Sequence, residues 1–203
     1  MTLKHKFRII FTAFLSIIAL VAIGSTTLLM SNTAQAKDHE DYEEHQMMLL
    51  ALKSSPISLN SILATFKTDY PSIVTEIELD EEDNILLYEI KGIDLEEGTR
   101  YKAHYALHNG EKISSHSKSL RFMGFNKLDE HDLAALETVK NQGISIQDAI
   151  ALTNLPEGLY IESIELERKR GLTFYEVKSI GPSGSTKILI DAKSGEIVPS
   201  LRR

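Results

Sequence analysis

Seven histidines and no cysteine define the metal and redox chemistry open to this chain of 203 residues. His104 and His108 stand four apart, a spacing at which two imidazoles converge on one ion when both sit on a helix face. On a strand the same four residues span roughly 13 Å, too far for a single ion held by bonds of about 2 Å. His39, Glu43 and His45, with Met47 and Met48, form a second group that reads either as a weak metal site or as the end of an acidic helix. No H-E-x-x-H and no G-x-S-x-G occurs. Gly181-Pro182-Ser183-Gly184 is a hairpin turn and not a phosphate loop, because no helix follows whose N-terminus could take the anion. The expectation is therefore a protein that is not an enzyme, with no catalytic residues, no cofactor and no resident metal.

The elements that carry these residues declare themselves by repetition. Ile57-Ser58, Glu78-Leu79, Tyr88-Glu89-Ile90-Lys91 and Gly110-Glu111 recur as Ile144-Ser145, Glu165-Leu166, Tyr175-Glu176-Val177-Lys178 and Gly195-Glu196. The offset is 87 residues from Ile57 through Lys91 and 85 at Gly110, so one folding unit is present twice.

Residues 1–36 stand outside the repeat. Lys4, Lys6 and Arg8 precede an apolar run from Ile9 to Ile23, and Ala34-Gln35-Ala36 supplies the small-x-small pattern of a signal-peptide junction. The expectation is an export signal cleaved after Ala36; the alternative is an uncleaved anchor, for which Ile9 to Met30 is about long enough. Loss of the leader leaves 19 basic against 29 acidic residues, a net charge of −10. That charge argues against nucleic acid or an anionic membrane surface as partner; the membrane is touched only through an uncleaved leader.

Each copy opens with two helices. Asp41 to Lys53 and Asp129 to Asn141 carry apolar residues near one face, Leu49 and Leu52 in the first matching Leu136 and Val139 in the second. Ser58 and Ser145 are placed to cap the second helices, with Asp148 completing a near capping box. Leu59, Ile62, Leu63 and Phe66 form one apolar stripe; Ile146, Ala149, Ile150 and Leu152 form the other, and Tyr70-Pro71 and Leu155-Pro156 stop the helices. Strands follow at Thr75 to Leu79 and at Ile161 to Glu167, with turns at Asp83-Asn84 and Arg170-Gly171. Leu86, Tyr88 and Ile90 share one face of the next strand, as do Thr173, Tyr175 and Val177, which sets Glu89 and Glu176 on the opposite face beside Lys91 and Lys178. Further turns at Glu97-Gly98 and Pro182 to Gly184 lead to third strands, and His108 to Gly110 and Lys193 to Gly195 open short fourth ones. The class is α+β: two tandem repeats, each with helices packed on a three- to four-stranded antiparallel sheet. The boundaries are 1–36 for the leader, 37–120 for the first repeat, 121–128 for a linker and 129–203 for the second repeat.

This order of helices, E-L, turn, Y-E-[IV]-K, turn and D-A-x-[ST]-G-E-[IV] resembles the PepSY domain. The second copy carries the pattern through Asp191-Ala192-Lys193-Ser194-Gly195-Glu196-Ile197. The first reads Ala106-Leu107-His108-Asn109-Gly110-Glu111 there, after a two-residue insertion. The resemblance implies helices on a small antiparallel sheet and an exported, non-catalytic module. Such domains occur in propeptides of thermolysin-type metallopeptidases and as small secreted or periplasmic proteins. It implies restraint or regulation of a peptidase or of another cell-envelope process, through a protein partner, and it makes Tyr88, Glu89, Tyr175, Glu176, Asp191 and Gly195 motif positions with structural roles. A sensory protein that binds a small ligand or metal for a membrane signalling system is the alternative.

Two features point to a partner surface. The first strand turn reads Asp80-Glu81-Glu82-Asp83 in one copy and Glu167-Arg168-Lys169-Arg170 in the other, so the loops are either solvated, or face each other or a charged partner. Ile85 and Leu87, with Leu172 and Phe174, fall on the sheet face away from the helices. Either the two sheets pack face to face or a partner docks there. Leu87, Phe174, Arg168, Lys169 and Arg170 are the candidate contact residues.

Overall fold

A hydroxyl cap starts each second helix, and the chain is described from there in both directions by a computed structural model covering residues 45–122 and 125–198. The leader, its Ala36 junction, and His39 and Glu43 lie outside the described residues. Helix α1 (His45–Ser54) precedes α2 (Leu59–Asp69), whose first turn is capped by the Ser58 hydroxyl accepting from the Ser61 N–H. After β1 (Ile73–Glu82), β2 (Ile85–Asp94), β3 (Thr99–Ala106) and β4 (Lys112–Ser119), a short hairpin of β5 (Arg121–Phe122) and β6 (Phe125–Asn126) leads into α3 (Glu130–Gln142). The second copy is α4 (Ile146–Thr153), β7 (Tyr160–Lys169), β8 (Leu172–Gly181), β9 (Gly184–Asp191) and β10 (Ile197–Val198). Ser145 and Asp148 complete their capping box in both directions. Left-handed Asn154 ends α4 just before Leu155-Pro156, and Leu152 of its expected stripe is exposed. Among the described residues no single helix is long and apolar enough to cross a membrane.

The α+β class and the duplicated unit are as the sequence predicts, but the two sheets are one. Eight strands bond in the order β10-β9-β8-β7-β1-β2-β3-β4. The order is palindromic about its centre, where the first strands of the two copies pair antiparallel through Glu76↔Glu165, Ile77↔Ile164 and Glu78↔Ser163. Ile77 and Ile164 are themselves equivalent residues, and both are fully buried. The face-to-face packing of sheets considered from the sequence is therefore corrected to an edge-to-edge join. It follows that the acidic and basic turns do not face each other. β1 and β7 run in opposite directions, so these turns lie at opposite ends of the sheet, roughly 40 Å apart along the strands. The fourth strands also differ: β10 is the short one expected, while β4 runs for eight residues.

Among the described residues the helices gather on one face. Ile62, Leu63 and Phe66 of α2 and Ile146 and Ala149 of α4 pack with Ile77, Tyr88, Ile90, Ile164, Tyr175 and Val177 in one core spanning both copies. A smaller cluster of Ile93, Leu120 and Leu136 places α3 of the second copy beside strands of the first. The two-residue turns have both central residues at positive φ, 52° and 63° at Asp83 and Asn84, 52° and 83° at Arg170 and Gly171. That conformation matches the twist of the strands it joins. The motif turns also superimpose bond for bond. Gly110 N–H donates to Ala106 O and Gly195 N–H to Asp191 O, each at 2.8 Å.

Gly92 of β2 is one place where this packing leaves no room for a side chain. A Cβ there would lie 2.3 Å from Ser72 Oγ and 3.1 Å from the Phe66 ring. Gly92→Ala is expected to cost roughly 1–3 kcal/mol through forced displacement of α2 from the sheet. A lowered urea-unfolding midpoint measures it, and an unchanged midpoint contradicts the packing described.

Candidate functional site

Strand alternation sends every second side chain to the face the helices leave open, and on this face the charges are sorted by strand. β1 contributes Glu76, Glu78, Asp80 and Glu82; β2 contributes Leu87, Glu89 and Lys91; β3 contributes Arg100, Lys102 and His104. Glu89 lies at the centre and is 5% exposed. Its carboxylate is ion-paired with Lys102, accepts from Lys91 at 2.8 Å and meets His104 Nε2 at 3.0 Å. Lys91 also reaches Glu76 at 2.7 Å, and His104 Nδ1 reaches Glu82 at 3.0 Å.

Burial pushes the Glu89 carboxyl up, but the hydrogen bonds from His104, Lys102 and Lys91 outweigh it and hold the group well below the usual carboxylate range. His104 is raised, chiefly by its bond to Glu89, with burial opposing. Both of its ring nitrogens face carboxylate oxygens, an arrangement that favours the doubly protonated imidazolium, and the Ser114 hydroxyl lies 3.2 Å from Nδ1. Lys91 is likewise raised: burial lowers it, and the bonds to Glu76 and Glu89 prevail.

The His104–Glu82 pair spans from β3 to β1 across β2, above Leu87. This explains how Leu87 is fully buried on a face that no helix covers. Its counterpart Phe174 is 9% exposed, with the Lys169 ammonium 6.0 Å from its ring centroid, while Ile85 and Leu172 at the strand ends stay exposed. Lys169 is ion-paired with Glu167. Arg168 turns to the helix side and donates to Thr173 Oγ1 at 2.7 Å, and Arg170 occupies the turn. Of the candidate contact residues Lys169 and Phe174 meet, while Leu87 sits under a polar roof in the other copy and the Arg168 guanidinium is engaged within its own hairpin.

The second copy keeps the motif pair and drops the rest. Glu176 binds Lys187 at 2.9 Å as Glu89 binds Lys102, and Lys187 is the repeat equivalent of Lys102. Ser163, Leu189 and Lys169 replace Glu76, His104 and Glu82, so no comparable network forms. Tyr88 and Tyr175 occupy equivalent registers beneath the helices, between Leu79 and Tyr105 and between Leu166 and Ile190. The Tyr175 hydroxyl donates to Ile144 O at 2.9 Å. The matching carbonyl in the first copy, Ile57 O, accepts from Ser55 instead, and Tyr88 donates across the join to Ile161 O at 3.1 Å. Asp191 Oδ1 accepts from the backbone of Lys193 and Ser194, pinning the turn that ends at left-handed Gly195.

As for ions, His104 lies on β3 and His108 in the turn after it, and His45 Nε2 donates to Gly181 O at 2.9 Å. Carboxylate oxygens of Glu76, Glu78 and Glu89 lie within 4.8 Å of one another, with Lys91 and Lys102 supplying cations to that group. Sequence reading missed Glu76, Glu82 and Lys102. The signal was there in the alternation of Glu76-Glu78-Asp80-Glu82 against Arg100-Lys102-His104.

Residues 56–105 and 144–198 match the family described as peptidase propeptide and YPEB domain, PepSY. The chain belongs to the PepSY family. No curated protein sequence matches it. Solved structures similar to it include a candidate lipoprotein of Clostridium difficile, 16% identical, covering 71% of this chain and 92% of that one with a TM-score of 0.42. The YpmB protein of Bacillus subtilis is 20% identical over 70% of this chain and 94% of that one, TM-score 0.27. The YpeB C-terminal domain of Bacillus megaterium is 16% identical over 72% and 67%, TM-score 0.27. The two PepSY segments carry β1 to β3 and β7 to β10 of the sheet, and the motif glutamate of each lies on its open face.

The network makes stability depend on pH in a definite direction. Glu89, depressed in the fold, contributes in full above its unfolded value of about 4.3 and loses that contribution as pH falls. His104, raised in the fold, contributes in full below about 6.5 and loses it as pH rises through its folded value. Thermal stability is therefore expected to be greatest at mildly acidic pH, between these limits, and to decline above it. His104→Gln should flatten the decline on the alkaline side, which melting curves across pH 5–9 measure; an unaltered slope would remove His104 from the network.

Proposed function

We propose that this PepSY-domain chain is an exported, non-catalytic binding protein that restrains or regulates a peptidase, or another process of the cell envelope, through direct contact with a protein partner. The observation that carries this reading is the pairing of two PepSY segments in one sheet, in a family whose description joins peptidase propeptides with YPEB domains. The charged groups on the open face support it. Glu76, Lys91, Glu89, Lys102, His104 and Glu82 engage one another in cross-strand pairs, an arrangement that builds a surface. The leader with Lys4, Lys6 and Arg8, the apolar run and Ala36 supports export.

A second reading, the sensory protein, draws on a cavity of about 450 Å³ where the copies meet on the helix side. Leu59 and Tyr88 of the first copy and Ile150, Leu155 and Tyr160 of the second line it. Such a volume suits a small apolar ligand.

The two readings separate in one experiment. The immobilised protein is exposed to the envelope fraction of its own cells, retained proteins are identified, and retained peptidases are assayed with and without added protein. Co-purification of a peptidase whose activity falls several-fold on addition is the expected result. Absence of any retained peptidase or envelope protein, with a thermal shift produced by a small ligand, would replace restraint by sensing.

A further inference from the structure

The two edges of the eight-stranded sheet are unlike. Among the described residues one ends in β10, where Ile197 and Val198 offer a ninth strand little. The other ends in β4, eight residues long and exposed along its whole length. Its pairing with β3 runs without interruption from Thr99↔Ser119 to His104↔Ser114, with the only irregularity beyond that point. The Leu120 N–H donates to Gly98 O at 2.8 Å. Alternation along an antiparallel ladder then turns the backbone N–H and C=O of Ser119, Ser117 and Ser115 away from β3. Three small residues thus hold unpaired backbone groups outward, a template for one more strand.

Charge says which strand. On the open face the sheet grades from acidic β1 through mixed β2 to basic β3, and each step is bridged, Glu76 to Lys91 and Glu89 to Lys102. β4 continues the basic end with His116 and Lys118, opposite Lys102 and Arg100. Among the described residues Arg100, His116 and Lys118 have no ion-pair partner, in a chain whose net charge is −7. A second copy docking β4 on β4 would set Arg100 and Lys118 against like charges, which is destabilising.

We propose that β4 is a strand-addition site for an extended acidic segment of a partner protein, one whose alternate residues are Asp or Glu. Backbone bonds from Ser115, Ser117 and Ser119 hold the segment as a ninth strand. Its carboxylates lie on the open face against Arg100, His116 and Lys118, repeating the cross-strand pairing already present between β1 and β2. The proposal deepens the binding reading by naming a surface and a partner chemistry, but it does not depend on that partner being a peptidase.

The test uses the purified protein and two fluorescent synthetic peptides, acetyl-Thr-Glu-Val-Glu-Val-Glu-Thr-amide and its Lys-for-Glu counterpart, followed by anisotropy. Saturable binding of the acidic peptide, at least tenfold tighter than the basic one and weakened by salt, is expected. Ser117→Pro removes an outward N–H at an edge position that proline can occupy without breaking the β3 ladder. It should abolish binding while leaving the melting temperature near that of the parent. Lys118→Glu should lower acidic-peptide affinity severalfold and raise that of the basic peptide. No binding, equal binding of both peptides, or binding unaffected by Ser117→Pro would overturn the proposal, as would a concentration-dependent dimer abolished by Ser117→Pro. Because the probe is a synthetic peptide, loss of peptidase restraint and loss of this site register separately.

Discussion

Three residue pairs at the centre of the sheet, Glu76↔Glu165, Ile77↔Ile164 and Glu78↔Ser163, hold the two copies in one fold. Without them each unit would end in an open first strand and in half a core. The join brings Glu76 and Glu165 side by side, an arrangement of like charges that disfavours pairing. Lys91, reaching Glu76 from β2, offsets the repulsion on one side. Beneath the sheet the two buried isoleucines and the Tyr88 hydroxyl, bonded to Ile161 of the opposite copy, supply the attractive part. The register is thereby tied to burial: a slip of one residue would invert one strand against the other, turning either Ile77 or Ile164 to the open face and its flanking side chains into the core.

The asymmetry of the open face follows from what each copy kept. The pair of motif glutamate and third-strand lysine is common to both, Glu89 with Lys102 and Glu176 with Lys187. Only the first copy adds His104, Glu82 and Glu76, and with them a chain of charges running from Glu76 through Lys91, Glu89 and His104 to Glu82. Among the described residues the first copy's fourth strand runs for eight residues and the second's for two. Where the second copy is pared to the shared scaffold, the first has elaborated both its charged face and its outer edge.

Much of this was readable in the residues because it is local. Ser58 and Ser145 cap helices, Asp83-Asn84 and Arg170-Gly171 form tight turns, and Tyr88 and Tyr175 point under the helices, each decided by neighbours a few positions away. The edge-to-edge join was not readable, since the outer edge of β1 has no composition that distinguishes a strand paired on both sides from one paired on one side. Leu87 misled for a related reason. Its cover comes from Glu82 and His104, which lie 22 residues apart and meet only once three strands are in register. Whether the acidic and basic turns face each other or stand solvated is likewise open in the residues, and the antiparallel centre sets them at opposite ends.

The palindromic strand order means that a half-turn about the point between Ile77 and Ile164 carries one copy approximately onto the other. The chain therefore has the symmetry of an isologous homodimer whose two protomers are covalently linked. Self-association through the first-strand edge, the natural hazard for a single unit of this kind, is satisfied intramolecularly, at a ratio fixed by the polypeptide itself and independent of dilution.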